Sequence, residues 1–314
     1  MHIFLRKKYI QMKLKFLMVI TLISAAIFSG CGDSTSDEEP SDNQSAKIEE
    51  VTPETSPVPT IPVPENDIIV DDKFSNIQLS EPNKPVYDRH TIWERQEAGL
   101  PMALPTITPY TEGKVAYLTF DDGPDDKNTP AILDILKNYG VFATFYVCGN
   151  MIEKNPEVLK RIYAEGHAIG NHSYNHNYND LYSNTDNFLK QISDTDELIK
   201  EIIGVRPLII RTPGGRAGMW TPEYEPLMTA CGYVEHDWNV SVEDATSKKP
   251  TPTQMIRYVD EATNRGVKDN AAIILMHSNA GKESTVDALP GIIEMLSNKG
   301  YTFGVITPMT PQPW

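Results

Sequence analysis

The chain has 314 residues and a formal net charge of −15. That length leaves room for one large domain with extensions, and that charge excludes nucleic acid or an anionic surface as the main partner. Three cysteines, Cys31, Cys148 and Cys231, are too few for a disulfide scaffold.

Charge is unevenly spread: residues 1–31 hold five basic and no acidic side chains, whereas 32–72 hold twelve acids against Lys47 alone. Arg6, Lys7, Lys8, Lys13 and Lys15 precede the apolar run Phe16–Phe28, which is short for a membrane span and suits the core of a secretory signal. Met12 offers an alternative start. The run ends in Ser29-Gly30-Cys31, which resembles a bacterial lipobox with Cys31 as the lipidated residue; Phe28 departs from the usual Leu-like residue. The alternative is an ordinary secretory signal with an incidental cysteine. Residues 1–31 are thus expected to be a lipoprotein signal, and the mature protein to be lipid-anchored on the extracellular face of the cell membrane.

Residues 32–66 are acidic and rich in Pro, Ser and Thr, with five prolines between Thr52 and Pro64. Such a segment cannot bury enough apolar surface to order itself, and its prolines extend it. A disordered tether is expected there. Residues 67–113 contain Trp93 but no sustained period, and read as an irregular arm packed against the domain that follows.

From Lys114 to the end, strand and helix patterns alternate. Strand-like runs are Val115–Phe120, Val141–Val147, His167–Asn171, Leu208–Arg211, Tyr233–Trp238, Ala271–His277 and Tyr301–Ile306. Helical patterns lie near 129–139, 155–165, 184–203, 222–231, 252–265 and 285–299. Gly140, Gly166, Gly204, Gly232, Gly266 and Gly300 follow these six as left-handed caps. The pattern predicts an α/β fold, a (β/α) barrel of about seven parallel strands, with any chemistry at the C-terminal strand ends.

Five polar motifs fall there. Asp121 and Asp122 end the first strand, before the turn Gly123-Pro124; buried adjacent carboxylates need a cation or a shared proton. His172 and His176 are four apart, a metal-ligand spacing on one helical face. Arg211, Asp237 and His277 each follow a further strand. Blander readings stand beside each: a solvated turn for the aspartates, a structural ion pair for Arg211, a hydrogen-bonded core histidine for His277. His167 and His236 are expected to be structural, and Cys148 and Cys231 small buried apolar residues.

In order, Thr119–Pro124, His172–His176, Arg211–Gly215, Asp237–Asn239 and Leu275–His277 resemble the five motifs of the polysaccharide deacetylases, the NodB-like carbohydrate esterase family 4. The resemblance covers 114–306 and implies a distorted (β/α) barrel, so 114–314 is taken as the catalytic domain. It implies a divalent metal, zinc first and cobalt or similar next, on Asp122, His172 and His176. It implies Asp121 as base tethered by Arg211, His277 as acid oriented by Asp237, Gly214 N–H at the oxyanion, and Trp238 and Leu275 lining the acetyl pocket. A catalytic set of one carboxylate and two imidazoles leaves metal positions open for water and substrate. Relatives often carry an aromatic where this chain has Gly214, and some carry an acid where it has Ser278. The expected activity is metal-dependent N-deacetylation of acetylated amino sugars, with peptidoglycan preferred because the expected membrane tether places the chain beside the wall; a monomer is expected. The alternatives are an enzyme for another acetylated polysaccharide, such as chitin oligomers or xylan, and a non-catalytic carbohydrate-binding lipoprotein. The base and acid side chains argue against the last.

Overall fold

A computed structural model describes residues 64–65, 67–77, 84–217 and 221–313, all within the unit Val58–Trp314. The signal, the lipobox at Cys31 and nearly all of the tether lie outside the described residues. Among the described residues no helix is long and apolar enough to cross a membrane.

The strands that position the chemistry are β3 (Val115–Gly123), β4 (Thr144–Val147), β5 (Ala168–Asn171), β7 (Ile209–Ile210), β8 (Val234–Glu235), β9 (Val240–Ser241), β10 (Ala271–His277) and β11 (Thr302–Gly304). They form one sheet in the order β8-β7-β5-β4-β3-β10-β9, all parallel, with β11 also paired to β3. The seven predicted strands are present; β9 is additional. Its pairing with β10 is helped by a side chain, the Asn239 amide, which bonds Ala271 O at 2.8 Å and Ile273 N at 2.9 Å. The terminal strands β8 and β9 are not paired with each other, and Trp238, between them, packs on the interior cluster. The sheet is therefore an incomplete barrel.

The helices are α1 (Ile92–Glu97), α2 (Asn128–Tyr139), α3 (Gly149–Ile152), α4 (Pro156–Ala164), α5 (Tyr178–Leu181), α6 (Thr185–Ile203), α7 (Tyr224–Ala230), α8 (Pro252–Asn264) and α9 (Glu283–Asn298). Six match the predicted helices to within two residues, and all six capping glycines have positive φ.

Period-2 alternation splits each long strand between two cores. On β3 and β10, Ala116, Leu118, Phe120, Ala272, Ile274 and Met276 face outward under α2 and α9. Val115, Tyr117, Ala271 and Ile273 face the barrel interior. Continuing that parity upward brings Thr119, Asp121, Leu275 and His277 onto the inner face. The register pairs Leu275 with Thr119 and His277 with Asp121. The interior apolar stack thus ends in two titratable side chains at one height.

The segment 67–113 carries three short regular elements among its described residues. Its β1 (Ile68–Ile69) runs parallel to β2 (Val86–Asp88), and β2 pairs antiparallel with β6 (Arg206–Pro207). A Thr91/Glu94 capping box starts α1. Arg95 and Asp88 are wholly buried, 2.5 Å apart, and Asp88 also meets Arg206 at 3.2 Å. Arg95 further donates to Asp72 O and Pro101 O, both at 2.9 Å, and lies over the Phe74 ring. Sequence periodicity misses these elements because they are short; the buried polar contacts and a small apolar cluster of Val70, Phe74, Ile77, Val86 and Leu208 hold them together. Asp88→Ala would leave the buried Arg95 guanidinium without its carboxylate and Arg206 with Asp196 alone. The expected loss is about 3–5 kcal/mol of unfolding free energy, read as a lower urea midpoint at unchanged slope; a shift below about 1 kcal/mol would contradict a structural role for this network.

Candidate active site

The strand-end residues converge as the barrel reading requires. Strict alternation would send Asp122 to the side opposite Asp121. The β3–β4 register shifts between Asp121 and Gly123, and Asp122 takes φ +70°. This bulge turns both carboxylates toward one site.

His172 and His176 follow β5 in a loop, not on a helix face as their spacing predicts; Ser173 and His176 sit at φ +66° and +54°. The loop still brings the rings together, with centroids 5.2 Å apart. Nε2 of His172 lies 3.5 Å and Nε2 of His176 3.4 Å from Asp122 Oδ1. His172 donates Nδ1–H to Arg211 O at 2.6 Å, which fixes its tautomer and leaves Nε2 as a donor atom for a cation. One ligand atom from each of the three residues lies within 4.8 Å of the others. Asp122 Oδ1 is buried and makes no hydrogen bond, while Oδ2 accepts from Asn279 Nδ2 at 3.3 Å. Burial alone would raise the Asp122 carboxyl, but the imidazoles beside it, His172 first, then His277 and His176, hold it well below the usual range. Burial, with His172 beside it, pushes His176 down, toward the neutral form that ligates. Burial opposes charge on His172 as well, but Asp121 and Asp122 outweigh it and raise it. An orphaned buried carboxylate oxygen faced by two imidazole nitrogens fits a divalent cation, which would take the place of that proton.

Asp121 is 2% exposed. Arg211 Nη1 donates to Asp121 Oδ1 at 2.9 Å and to Thr119 Oγ1 at 2.6 Å; its Nε reaches His236 O at 2.9 Å and its Nη2 Asp237 O at 3.1 Å. The guanidinium stacks on Tyr146, 4.2 Å from the ring centroid. Gly170 on β5 makes room for that ring: a Cβ there would come within 2.4 Å of Tyr146 Cδ1.

The partner of His277 is not Asp237. His277 Nδ1 donates to Asp244 Oδ1 at 2.7 Å, and His277 N–H to Asp244 Oδ2 at 2.9 Å. Thr285 Oγ1 also donates to Asp244, at 2.8 Å. Burial works against the imidazolium, but the hydrogen bond and charge of Asp244 raise His277 above its ordinary value, and His277 in turn lowers Asp244. The Asp237 carboxylate instead accepts from Arg216 N–H at 2.9 Å. Burial pushes both Asp237 and Glu235 up, and the Asp237 charge raises Glu235 further. Asp237 belongs to the support of Arg211. Asp244 follows β9 as His277 ends β10, but a two-residue strand leaves no run of apolar residues to announce it.

Gly214 and Gly215 have φ +82° and +68°. Gly215 N–H closes the turn on Thr212 O at 2.9 Å. A Cβ on Gly215 would meet Trp238 Cη2 and Asp237 Oδ1 at 2.9 Å, and one on Gly214 would meet Tyr178 Cε1 at 2.8 Å. Trp238 therefore flanks the glycine turn, and Leu275 lies on the inner face two residues below His277.

Residues outside the site behave as structural groups. His236 bonds Thr310 O through Nε2 at 3.0 Å, and burial lowers it to about 4. Burial likewise lowers His167 to about 4, and its Nδ1 accepts from Ala143 N–H at 3.2 Å. Cys148 and Cys231 are buried and free.

Comparison with known proteins agrees with this geometry. The polysaccharide deacetylase family profile matches residues 108–235. A peptidoglycan-N-acetylglucosamine deacetylase of Bacillus cereus is 36% identical over 205 residues, 64% of this chain and 70% of that protein. A peptidoglycan-N-acetylmuramic acid deacetylase of Bacillus subtilis is 31% identical over 201 residues, 62% of this chain and 70% of that protein. The catalytic domain of a peptidoglycan N-acetylglucosamine deacetylase from Eubacterium rectale superposes with a TM-score of 0.61 at 31% identity, covering 66% of this chain and 95% of that domain. The chain belongs to the polysaccharide deacetylase family and is a hydrolase of the carbohydrate esterase family 4 type.

Proposed function

We propose that this enzyme hydrolyses the acetamido group of acetylated amino sugars in peptidoglycan, N-acetylglucosamine first, releasing acetate and a free amine. The observation that carries the reading is the donor set Asp122, His172 and His176 standing beside a cation-tethered carboxylate, Asp121, on the rim that also holds a carboxylate-tethered imidazole, His277. The activities of the relatives, all peptidoglycan deacetylases, support peptidoglycan as the polymer.

A divalent cation, zinc first from the mixed nitrogen and oxygen donors and cobalt next, would supply Lewis acidity toward the amide carbonyl and an acidified water. Asp121 takes the proton of the attacking water as its oxygen bonds the carbonyl carbon. Arg211 holds Asp121 aimed at that water. The Gly214 N–H donates to the oxygen that gains charge. His277 gives its Nε2 proton to the sugar nitrogen as the C–N bond breaks, and Asp244 holds the ring and its charge. Trp238 and Leu275 flank the acetyl group. The location proposed for the mature protein, tethered through lipidated Cys31 beside the wall, puts the enzyme within reach of that polymer. The direct test is incubation of the mature protein with purified peptidoglycan and mass spectrometry of the muropeptides. Loss of acetyl from the sugars supports the reading; faster acetate release from acetylxylan than from the glycan overturns the polymer.

The two adjacent aspartates divide the labour. Asp122→Asn should lower both bound metal and rate. Asp121→Asn should keep the metal and lower kcat by about 10²–10⁴, with metal content measured by mass spectrometry. Metal lost from the Asp121 variant and kept by the Asp122 variant would reverse the roles.

The acid gives a pH prediction with a defined sign. His277 is raised, so the stability its pair contributes is full below the ordinary histidine value of 6.5 and is lost as pH rises through the folded value. Asp244 is lowered, so its contribution is present above its ordinary value of 3.8 and lost as pH falls through the folded one. Asp244→Asn should move the His277 titration, followed by NMR, down by about 1 unit or more, and the basic limb of the rate with it. Asp237→Asn should leave that titration in place; the opposite pattern would restore Asp237 as the partner of the acid.

For the anchor, Cys31→Ala should shift the protein from the membrane fraction to the medium, or leave its signal uncleaved. Membrane retention with normal processing would rule out lipidation there.

A further inference from the structure

Four large apolar or aromatic side chains are conspicuously exposed among the described residues: Tyr110, Tyr139, Phe142 and Tyr178. Tyr110 bonds Glu112 through its hydroxyl, and Tyr139 bonds Glu294. Phe142 precedes β4, at the end of the barrel away from the chemistry. Tyr178 alone stands at the catalytic end, and its exposure is 39%.

Its surroundings hold the ring in place. The Tyr178 ring meets His176 edge to face, with centroids 5.2 Å apart at 89°. Its Cε1 lies where only a glycine at 214 leaves room, 2.8 Å from the position of a Cβ. Tyr182, on the next residue after α5, donates its hydroxyl to Pro213 O at 2.6 Å, which ties the glycine turn to the same short segment. The Gly214–Gly215 backbone thus runs between two rings, Tyr178 against the first glycine and Trp238 against the second. Trp238 packs on the barrel interior, whereas Tyr178 offers a face to solvent beside the ligand His176. A pyranose ring presents axial C–H groups that pack on an aromatic face, and ligand sites use such rings to hold and orient the apolar side of a ligand.

We propose that Tyr178 is a specificity-determining residue: its exposed face is the wall on which the sugar ring bearing the acetyl group rests. This rests on the reading that the site takes an acetylated glycan. The glycine at 214 is then the complement of Tyr178, since any side chain there would displace the ring.

The test compares wild type with Tyr178→Ala, Tyr178→Leu and Tyr178→Phe. Binding of the tetramer of N-acetylglucosamine to the metal-free proteins is measured by calorimetry, and steady-state hydrolysis of the same tetramer by the zinc-loaded proteins. The Ala and Leu variants should raise Kd and KM about 10–100-fold while kcat falls by less than about threefold, and Phe should stay within about threefold of wild type throughout. Unchanged Kd and KM in the Ala variant would overturn the proposal. So would a Phe variant as impaired as Ala, which would assign the effect to the hydroxyl, or a loss confined to kcat, which would leave the ring only a brace for Gly214. If the wild type cleaves acetylated xylotetraose and not the glucosamine tetramer, the polymer reading fails. The same variants are then judged on the xylose substrate by the same criteria.

Discussion

The Arg211 guanidinium is the point through which the site's geometry passes. It is fully buried, and its three nitrogens are matched to four oxygens from two strand ends: Asp121 and Thr119 on β3, and the carbonyls of His236 and Asp237 after β8. Its own backbone does a second task. Arg211 N–H bonds Asn171 O at 3.1 Å, and Arg211 O receives the Nδ1–H of His172. One residue therefore orients the proposed base, Asp121, through its side chain and a proposed metal ligand, His172, through its carbonyl. A lysine could not replace it, because a point charge cannot reach divergent acceptors and stack on Tyr146 at once.

The rest of the site repeats that logic with signs exchanged. Asp121, the carboxylate proposed to receive a proton, is held by a buried cation. His277, the imidazole proposed to deliver one, is held by a buried anion, Asp244. The group left uncompensated is Asp122, whose Oδ1 has no hydrogen-bond partner. A buried anion in that state calls for a positive charge, and the two imidazole nitrogens beside it determine that a metal rather than an arginine should supply it. The acid and base remain distinct because their partners differ, although His277 and Asp121 are direct neighbours in the β3–β10 register.

Much of this is legible in the sequence because it follows from strand parity. Ala116, Leu118 and Phe120 against Tyr117, Thr119 and Asp121 is a period of two, and it delivers Asp121 to the interior without further information. The six glycine caps mark helix ends for the same local reason. What escapes is whatever breaks a period. The bulge at Asp122 cannot be read from Asp-Asp-Gly-Pro, where alternation alone puts the two carboxylates on opposite sides. His172 and His176 show a helical spacing, yet the segment is a loop with two left-handed residues. Asp244 is hidden behind β9, two residues long, while Asp237-Trp238 stands out by composition. Asp237 proves to serve Arg211 from behind, by its carbonyl.

The three-strand layer of β1, β2 and β6 also bears on the proposed metal ligands, through a chain of buried polar contacts. Arg95 pairs with Asp88, Asp88 with Arg206, and Arg206 with Asp196 at 3.5 Å. The Asp196 carboxylate accepts from Asn171 Nδ2 at 2.7 Å, and Asn171 Oδ1 accepts from Ser173 N–H at 2.9 Å. Ser173 is one of the two left-handed residues of the loop between His172 and His176, a conformation that costs on the order of 1–3 kcal/mol unless its surroundings impose it. Asn171 imposes it by taking the Ser173 amide, and Asn171 is itself oriented by Asp196. Burial raises Asp196 to about 6 despite Arg206, so its charge depends on that guanidinium staying in place. The arm that lies outside the barrel's strand pattern thus ends, four contacts later, at the loop that holds two of the three metal-donor side chains. The apolar cluster of Val70, Phe74, Ile77, Val86 and Leu208 helps hold the layer in place, while the directional bonds of the buried charges pass an orientation on toward His172.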